Sequence, residues 1–389
     1  MVDRIEELKH LPIQKAESEG LEWFFSDEAD EYIAPEILKI RTEESKNLQN
    51  ATLSLYQKFE KLLDEIVQNN QWDDLGLDAE IIPLIKYSWQ KKHLHLYSRF
   101  DFAGGIDDLP IRLLELNADT ATMLPESSLI QSWMVESVND TKGQFNYLLR
   151  DLEFSLSKLA HFNPKKDKTI LVSSLGYIED QLNCDIIIKA AQNAGFYARY
   201  ADLEDVIFDE DGIFLENNDG TSEHFEYFFK LIPWEFIMYE EPELLTILSN
   251  LVMNDKCYVM NPAYTLVWQS KAILQKLYSR FPQDPLLLKT SLVDSDFVSV
   301  PYVEKPIFGR MGENIKIFDQ EGNKLARTKG DYKHFPKIYQ EKARLYCDSD
   351  GYYQVGCYFI NGNMSCISLR RNENMIIDED SEFISHVLV

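Results

Sequence analysis

The period of the apolar positions changes along the chain, and each change marks an element. Leu55, Phe59, Leu62, Leu63 and Ile66 recur at three- and four-residue intervals, which predicts an amphipathic helix over 46–69. A second helix is predicted over 80–92. From Arg99 to Asn117 the period drops to two. Arg99 and Asp101 share one side of an extended segment, Glu115 and Asn117 alternate with Leu114 and Leu116, and Gly104-Gly105 with Asp107-Asp108 form a turn between them. The result is a hairpin with one polar face. Pro125-Glu126-Ser127 opens a further helix. Phe145, Leu148, Leu149, Leu152, Leu156 and Leu159 outline a long one over 140–160. Residues 1–45 are polar with scattered aromatics and read as an irregular lead-in.

The pattern shifts after 161–168, a linker carrying Pro164 and several lysines. A strand at 169–174, a helix over 179–193 ending at Gly195 and a strand at 196–200 make a strand–helix–strand unit. Short strands at 206–208 and 213–215 are joined by Asp209-Glu210-Asp211-Gly212. A strand at 227–232, a helix at 242–251 and a strand at 258–260 complete an open α/β domain over 162–261. A helix is predicted from 261 to 281, carrying Lys271. The rest is β-rich: 299–308 with Lys305, a glycine-flanked loop at 309–313 with Arg310, a return strand at 315–318, then 337–342, 352–360 and 364–370. Asn361-Gly362 joins the last two as a tight hairpin. A chain of 389 residues exceeds one core, and these shifts divide it into 1–161, 162–261 and 262–389.

Composition narrows the function. A net charge of −26 argues against nucleic acid or an anionic membrane as partner, and is compatible with a cationic substrate such as an amine. The five cysteines are scattered, with neither CxxC nor histidines at zinc spacing, so they read as packing residues in a reducing compartment. The start, MVDRIEELKHLPIQ, has no apolar signal core, and no run has membrane-spanning length. A cytoplasmic location is expected.

Chemistry concentrates on the hairpin. Asp101, Glu115 and Asn117 offer three hard oxygen donors, a set that suits Mg²⁺ sharing its shell with phosphate and water. An edge hairpin with a solvated polar face has the same pattern. Lys271, Lys305 and Arg310 are cations fit for polyphosphate, or ordinary surface charges. Neither G-x-x-x-x-G-K-[ST] nor G-x-G-x-x-G occurs, which argues against a P-loop and a standard Rossmann site.

A colinear set of short motifs joins these parts. They are Arg99-Phe100-Asp101, Leu114-Glu115-Leu116-Asn117-Ala118-Asp119-Thr120, Pro233-Trp234-Glu235, Lys271-Ala272-Ile273-Leu274, the run from Glu304 to Ile315 (EKPIFGRMGENI), Ile338-Tyr339-Gln340-Glu341 and Ser368-Leu369-Arg370. In this order they resemble the synthetase domain of glutathionylspermidine synthase and its single-domain relatives, the ATP-grasp acid–amine ligases. The resemblance implies an α/β (α+β) ATP-grasp fold with an inserted pre-ATP-grasp-like open α/β domain. It implies ATP and Mg²⁺ as cofactors, with Asp101, Glu115 and Asn117 holding the metal. Arg99 would stabilise the transferring phosphoryl group or the acyl phosphate, and Arg310 would ride on a loop closing over the phosphates. Lys271 and Lys305 would bind those phosphates, Gln340 and Glu341 would lie at the adenine hinge, and Arg370 would reach the phosphate or acyl end. Glu179, Asp180 and Thr120 would face the substrates. Those partners would be a carboxylic acid such as glutathione or a peptide and an amine such as a polyamine, with no nucleic acid and no membrane.

The expected reaction is phosphorylation of a carboxylate to an acyl phosphate, then attack by an amine to form an amide, with Glu179, Asp180 or Asp378 near the amine as proton acceptors. A phosphotransferase or a catalytically idle ATP-binding protein would use the same nucleotide site. The chain departs from the family pattern in three places. It is too short for an amino-terminal cysteine–histidine amidase domain, Phe236 stands where a small polar residue is usual near the peptide, and Arg370-Arg371-Asn372-Glu373-Asn374 diverges at the polyamine end.

Overall fold

The structure, a computed structural model, describes residues 4–29, 31–138, 143–163 and 166–389. The predicted helical stripe is buried. Leu55, Phe59, Leu62, Leu63 and Ile66 of the helix Thr42–Asn69 are all inaccessible or nearly so. They share one core with Phe100, Phe102, Val355 and Phe359 of a large sheet, where Phe59 meets Phe100 edge-on at 5.9 Å. Each such buried side chain contributes about 1.5–3 kcal/mol. The other face of that sheet is covered by the helix Leu148–Phe162, whose Leu148, Leu152, Leu156 and Leu159 pack in a second core with Tyr358, Ile360 and Cys366.

This sheet has eight strands. Its order is Ile5–Glu7, Ile33–Ile40, Glu382–Leu388, Asn363–Asn372, Tyr352–Ile360, Ser98–Ala103 and Arg112–Asn117, with Tyr346–Cys347 alongside Tyr352–Ile360. The predicted hairpin is therefore its edge. Among the described residues three smaller sheets complete the fold. One is parallel, in the order Tyr258–Met260, Tyr227–Lys230, Thr169–Ser174, Tyr197–Asp202. One is antiparallel, in the order Thr290–Ser291, Lys337–Glu341, Tyr302–Pro306, Lys316–Phe318, Lys324–Arg327. The third joins Val206–Phe208, Ile213–Glu216 and Ser222–Phe225.

Four expectations need correction. The lead-in over 1–45 is not irregular: Ile33–Ile40 lies between Ile5–Glu7, to which it is antiparallel, and Glu382–Leu388, to which it is parallel. The helix expected over 140–160 begins at Leu148, and Phe145 lies before it; residues 140–142, like Pro164 and Lys165 of the linker, fall outside the described residues. The helix expected over 261–281 is two, Thr265–Gln269 and Ile273–Arg280, because Ser270 turns extended and the Lys271 N–H leaves the helix for Ile307 O at 2.8 Å. Finally, the hairpin alternation is broken by a bulge. Glu115 faces Asp101 but Leu113 faces Phe102, so Leu113 and Leu116 enter the core and Leu114 does not.

Candidate active site

The large sheet, the five-stranded sheet and the helix Ile178–Asn193 border one cavity of about 930 Å³, and every candidate residue named from the sequence lines it. From the hairpin come Arg99, Asp101, Glu115 and Asn117, and from the loop after it Thr120. The break between two helices brings Lys271. The five-stranded sheet brings Lys305, Gln340 and Glu341, and the large sheet Arg370. Glu179 and Asp180 stand on the first turn of Ile178–Asn193, at the carboxyl ends of the parallel strands.

Asp101 is almost fully buried and held from two sides. Arg99 donates Nε and Nη2 to its two oxygens at 2.7 and 3.0 Å, and Asn117 donates Nδ2 to Oδ2 at 2.8 Å. The i,i+2 spacing on one strand makes the Arg99 fork possible. Burial raises the Asp101 carboxyl above its usual range, although Arg99 pulls the other way. Burial also acts upward on Glu115, but Lys271 and Lys305 outweigh it and hold Glu115 below the usual range. Lys271 Nζ lies 3.3 Å from Glu115 Oε2 and donates to Gly309 O at 2.7 Å. Lys305 donates to Gln340 Oε1 at 2.8 Å and, at 3.3 Å, to Leu114 O. Its burial lowers its pKa to about 8.

The donor set fits Mg²⁺: two carboxylates and one carboxamide, an open set with room for phosphate and water. Among the described residues no group of three or more His, Cys, Asp or Glu gathers to hold a metal.

The loop bearing Arg310 lies against the cavity wall. Arg310 Nη2 donates to Thr120 Oγ1 at 2.7 Å and lies 3.2 Å from Glu235 Oε1. Gly312 has φ 67°, and a side chain there would collide with Ile377 O, so this close approach requires glycine. Arg370 is anchored by carbonyls, donating to Ser381 O through Nε and Nη2 at 3.1 and 2.7 Å and to Asp378 O at 2.7 Å. The Asp378 carboxylate itself accepts from Asn372 Nδ2 at 2.7 Å.

Two details sharpen the sequence expectations. Lys271 sits in a helix break instead of on a helix, which frees its side chain toward Glu115 and its backbone toward Ile307. At the expected adenine hinge the Gln340 side chain is buried on Lys305, while the Glu341 N–H is taken by Lys289 O. Three residues escaped notice. Glu235 was within a quoted motif, but its contact with Arg310 spans 75 positions. Glu126 read only as a helix start, and Tyr32 fell in the supposed lead-in. The structure joins them, Tyr32 donating to Glu126 Oε1 at 2.8 Å.

An antiparallel sheet bearing Lys305 beside Lys271, set over a carboxylate-bearing hairpin and next to an open parallel unit, is the arrangement of the ATP-grasp ligases. A family model described as "Glutathionylspermidine synthase preATP-grasp" matches residues 4–389, and the chain belongs to that family. It is 28% identical to a candidate acid–amine ligase of Haemophilus influenzae over 79% of this chain and 78% of that one. It is 26% identical to the bifunctional glutathionylspermidine synthetase/amidase of Escherichia coli over 88% of this chain and 58% of that protein. It is also 26% identical to the trypanothione synthetase of Crithidia fasciculata, over 79% of this chain and 49% of that protein. The chain thus spans about half the length of these last two relatives. A glutathione synthetase-like effector of Globodera pallida shares the fold at 11% identity, with a TM-score of 0.56 over 91% of this chain and 89% of that one. No helix among the described residues is long and apolar enough to cross a membrane.

Proposed function

We propose that this protein is an ATP-dependent carboxylate–amine ligase that forms an amide through an acyl phosphate. One observation carries the reading: residues from 99 to 370 converge on one cavity with carboxylates and cations placed against each other. Apolar Val303, Ile317 and Leu345 line the part of the cavity near the five-stranded sheet and suit a purine; Lys271 and Lys305 suit its phosphates. Asp101, Glu115 and Asn117 would hold Mg²⁺, which when bound neutralises phosphate charge. Arg99 faces the transferring phosphoryl group, and Arg370 the activated carboxylate. Arg310 and the loop 309–313 exclude water, which would otherwise hydrolyse the acyl phosphate. Positioning and charge neutralisation do the catalytic work of the first step.

The acidic wall at Glu179 and Asp180 suits an amine. Burial holds the Asp180 carboxyl up to about 6 despite Arg310, and Glu179 adds to that rise. By analogy with the relatives, glutathione or a peptide is proposed as the acid and a polyamine as the amine, in the cytoplasm. The test is ADP release across a panel of acids and amines, with mass spectrometry of the products. An amide product whose formation tracks ADP supports the ligase. A stable phosphorylated product would make the protein a phosphotransferase, and no ADP with any pair would make it a binding protein.

A further inference from the structure

An alkylamine near neutral pH is an ammonium ion and has no lone pair to attack with. A proton acceptor must meet it inside the cavity, close to the acyl carbon. Glu126 has the geometry for this. It opens the turn Glu126–Ile130, lines the cavity and is 3% exposed. Oε1 accepts from the Tyr32 hydroxyl at 2.8 Å; Oε2 is buried with no hydrogen-bond partner among the described residues. An unpaired buried carboxylate oxygen is costly, and such a group in a cavity wall is suited to a donor carried by a ligand.

The charged and titratable groups around Glu126 come from several elements: Tyr32 beside Ile33–Ile40, Arg370 on Asn363–Asn372, Tyr358 on Tyr352–Ile360 and Glu179 on Ile178–Asn193. The Arg370 guanidinium stands 5.6 Å over the Tyr32 ring, so Tyr32 links the acyl-end cation to Glu126. Glu179 and Asp180, on the same cavity, add the negative field that draws in a cation. Burial holds the Glu126 carboxyl up at about 7, where it both takes and releases a proton near neutrality.

We propose that Glu126, oriented by Tyr32, is the proton acceptor for the incoming amine; this rests on the ligase reading. The ammonium nitrogen gives one proton to Glu126 Oε2 and becomes a neutral amine. Its lone pair forms the C–N bond to the acyl carbon, and the C–O bond to phosphate breaks with its electron pair going to phosphate. The second nitrogen proton leaves with that phosphate, and Glu126 returns the first to solvent.

Hydroxylamine tests this directly, because it is already neutral near pH 7 and traps acyl phosphates as hydroxamates. With glutathione and a panel of peptides as acids, Glu126→Gln lowers turnover with spermidine by about 10²-fold or more but leaves hydroxamate formation within about threefold. Tyr32→Phe removes a donor that favours the ionised carboxylate, so the acid limb of the spermidine pH–rate profile moves to higher pH. The hydroxylamine profile does not move. Retained spermidine turnover in Glu126→Gln overturns the proposal. Equal loss of both reactions also overturns it, because the role would then be structural. An unmoved acid limb in Tyr32→Phe removes the orienting role. A wild type that makes neither ADP nor hydroxamate overturns the ligase reading, and the inference falls with it.

Discussion

Glu115→Ala separates the catalytic use of the hairpin from its structural use. Glu115 lies on an edge strand with its side chain 25% exposed, 3.3 Å from Lys271. At an effective dielectric of about 20, charges at that distance attract by about 5 kcal/mol before desolvation. Most of this is offset by the cost of taking both ions out of water. Both lysines also keep other partners in the variant, Lys271 on Gly309 O and Lys305 on Gln340 and Leu114 O. No buried donor is orphaned, so the loss in stability should be about 1 kcal/mol, a shift in melting temperature of about 1–2 °C for a chain of this length.

Turnover should fall much further. Removing one preorganised charge-stabilising group costs about 10²–10³ in rate, or about 3–4 kcal/mol. Nucleotide affinity should also become more sensitive to pH. Glu115 supports the charge on Lys305, whose pKa burial has already lowered to about 8, so its loss lowers that pKa further and weakens phosphate binding first at higher pH. The assay is Mg²⁺-dependent ADP release beside a thermal melt, with Glu115→Gln as the control for bulk. Turnover within about threefold of wild type at saturating Mg²⁺ would refute the metal assignment, given the 10²–10³ expected. A melting temperature lower by more than about 10 °C would refute the claim that the carboxylate is dispensable to the fold.

Arg310→Ala should lower kcat more than nucleotide affinity, since its contacts are to Thr120 and Glu235; loss of ATP binding alone, by calorimetry, would sink the loop role. Nucleotide affinity of the wild type should fall as pH rises through about 8, where Lys305 loses its charge, and Lys305→Met should flatten that dependence in a binding titration. Because the folded pKa of Lys305 lies below its unfolded value, the unfolded chain binds more protons between about 8 and 10.5, and this site's contribution to stability rises over that window. Glu126 has the opposite slope. Its folded pKa rises from 4.5 to about 7, so stability is lost as pH climbs through that range, and Glu126→Gln should be more stable than wild type at pH 8 by up to about 3 kcal/mol but not at pH 4, by denaturant unfolding. Lys230→Met should cost about 3–5 kcal/mol by the same measurement, because it leaves the fully buried Asp119 uncompensated.

What the sequence revealed depended on range. Leu55 to Ile66, the polar hairpin face, Asn361-Gly362 and the strand–helix–strand after 168 are signals within a few residues, and all appear in the structure. Ile33–Ile40 was missed because the partner that ties it into the large sheet lies more than 340 positions away, and its other partner, Ile5–Glu7, is only three residues long. Local pattern also missed the bulge at Leu114 and the break at Ser270, since both are imposed by neighbours: a strand partner in one case, Ile307 O in the other. For the site, colinear motifs found Arg99, Asp101, Glu115, Lys271, Lys305, Arg310 and Arg370 on the cavity wall. They missed Glu126 and Tyr32, whose roles rest on burial and a contact across 94 positions.

The loop leaving the hairpin explains why those separated motifs act as one site. Asp119 follows the candidate metal ligand Asn117 by two residues and precedes Thr120, the Arg310 partner. Its carboxylate accepts from Lys230 Nζ at 2.9 and 3.0 Å and from the Trp234 N–H at 2.8 Å, both from the parallel unit. Asn261 donates to the Asp119 carbonyl at 2.7 Å, and Gln269 accepts from the Ala118 N–H at 2.9 Å, just before the break that frees Lys271. The stretch Asn117–Thr120 is thus clamped by the unit that bears Glu179 and Asp180 and by the helix that precedes Lys271. Edge hairpins are otherwise the least constrained part of a sheet, and a displacement of about 1 Å at a reacting group can cost about 10²-fold in rate. The buried Lys230–Asp119 pair thus holds the Lys271 side of the cavity in register with its Glu179–Asp180 side. Its removal should disturb turnover even in a variant stabilised enough elsewhere to fold.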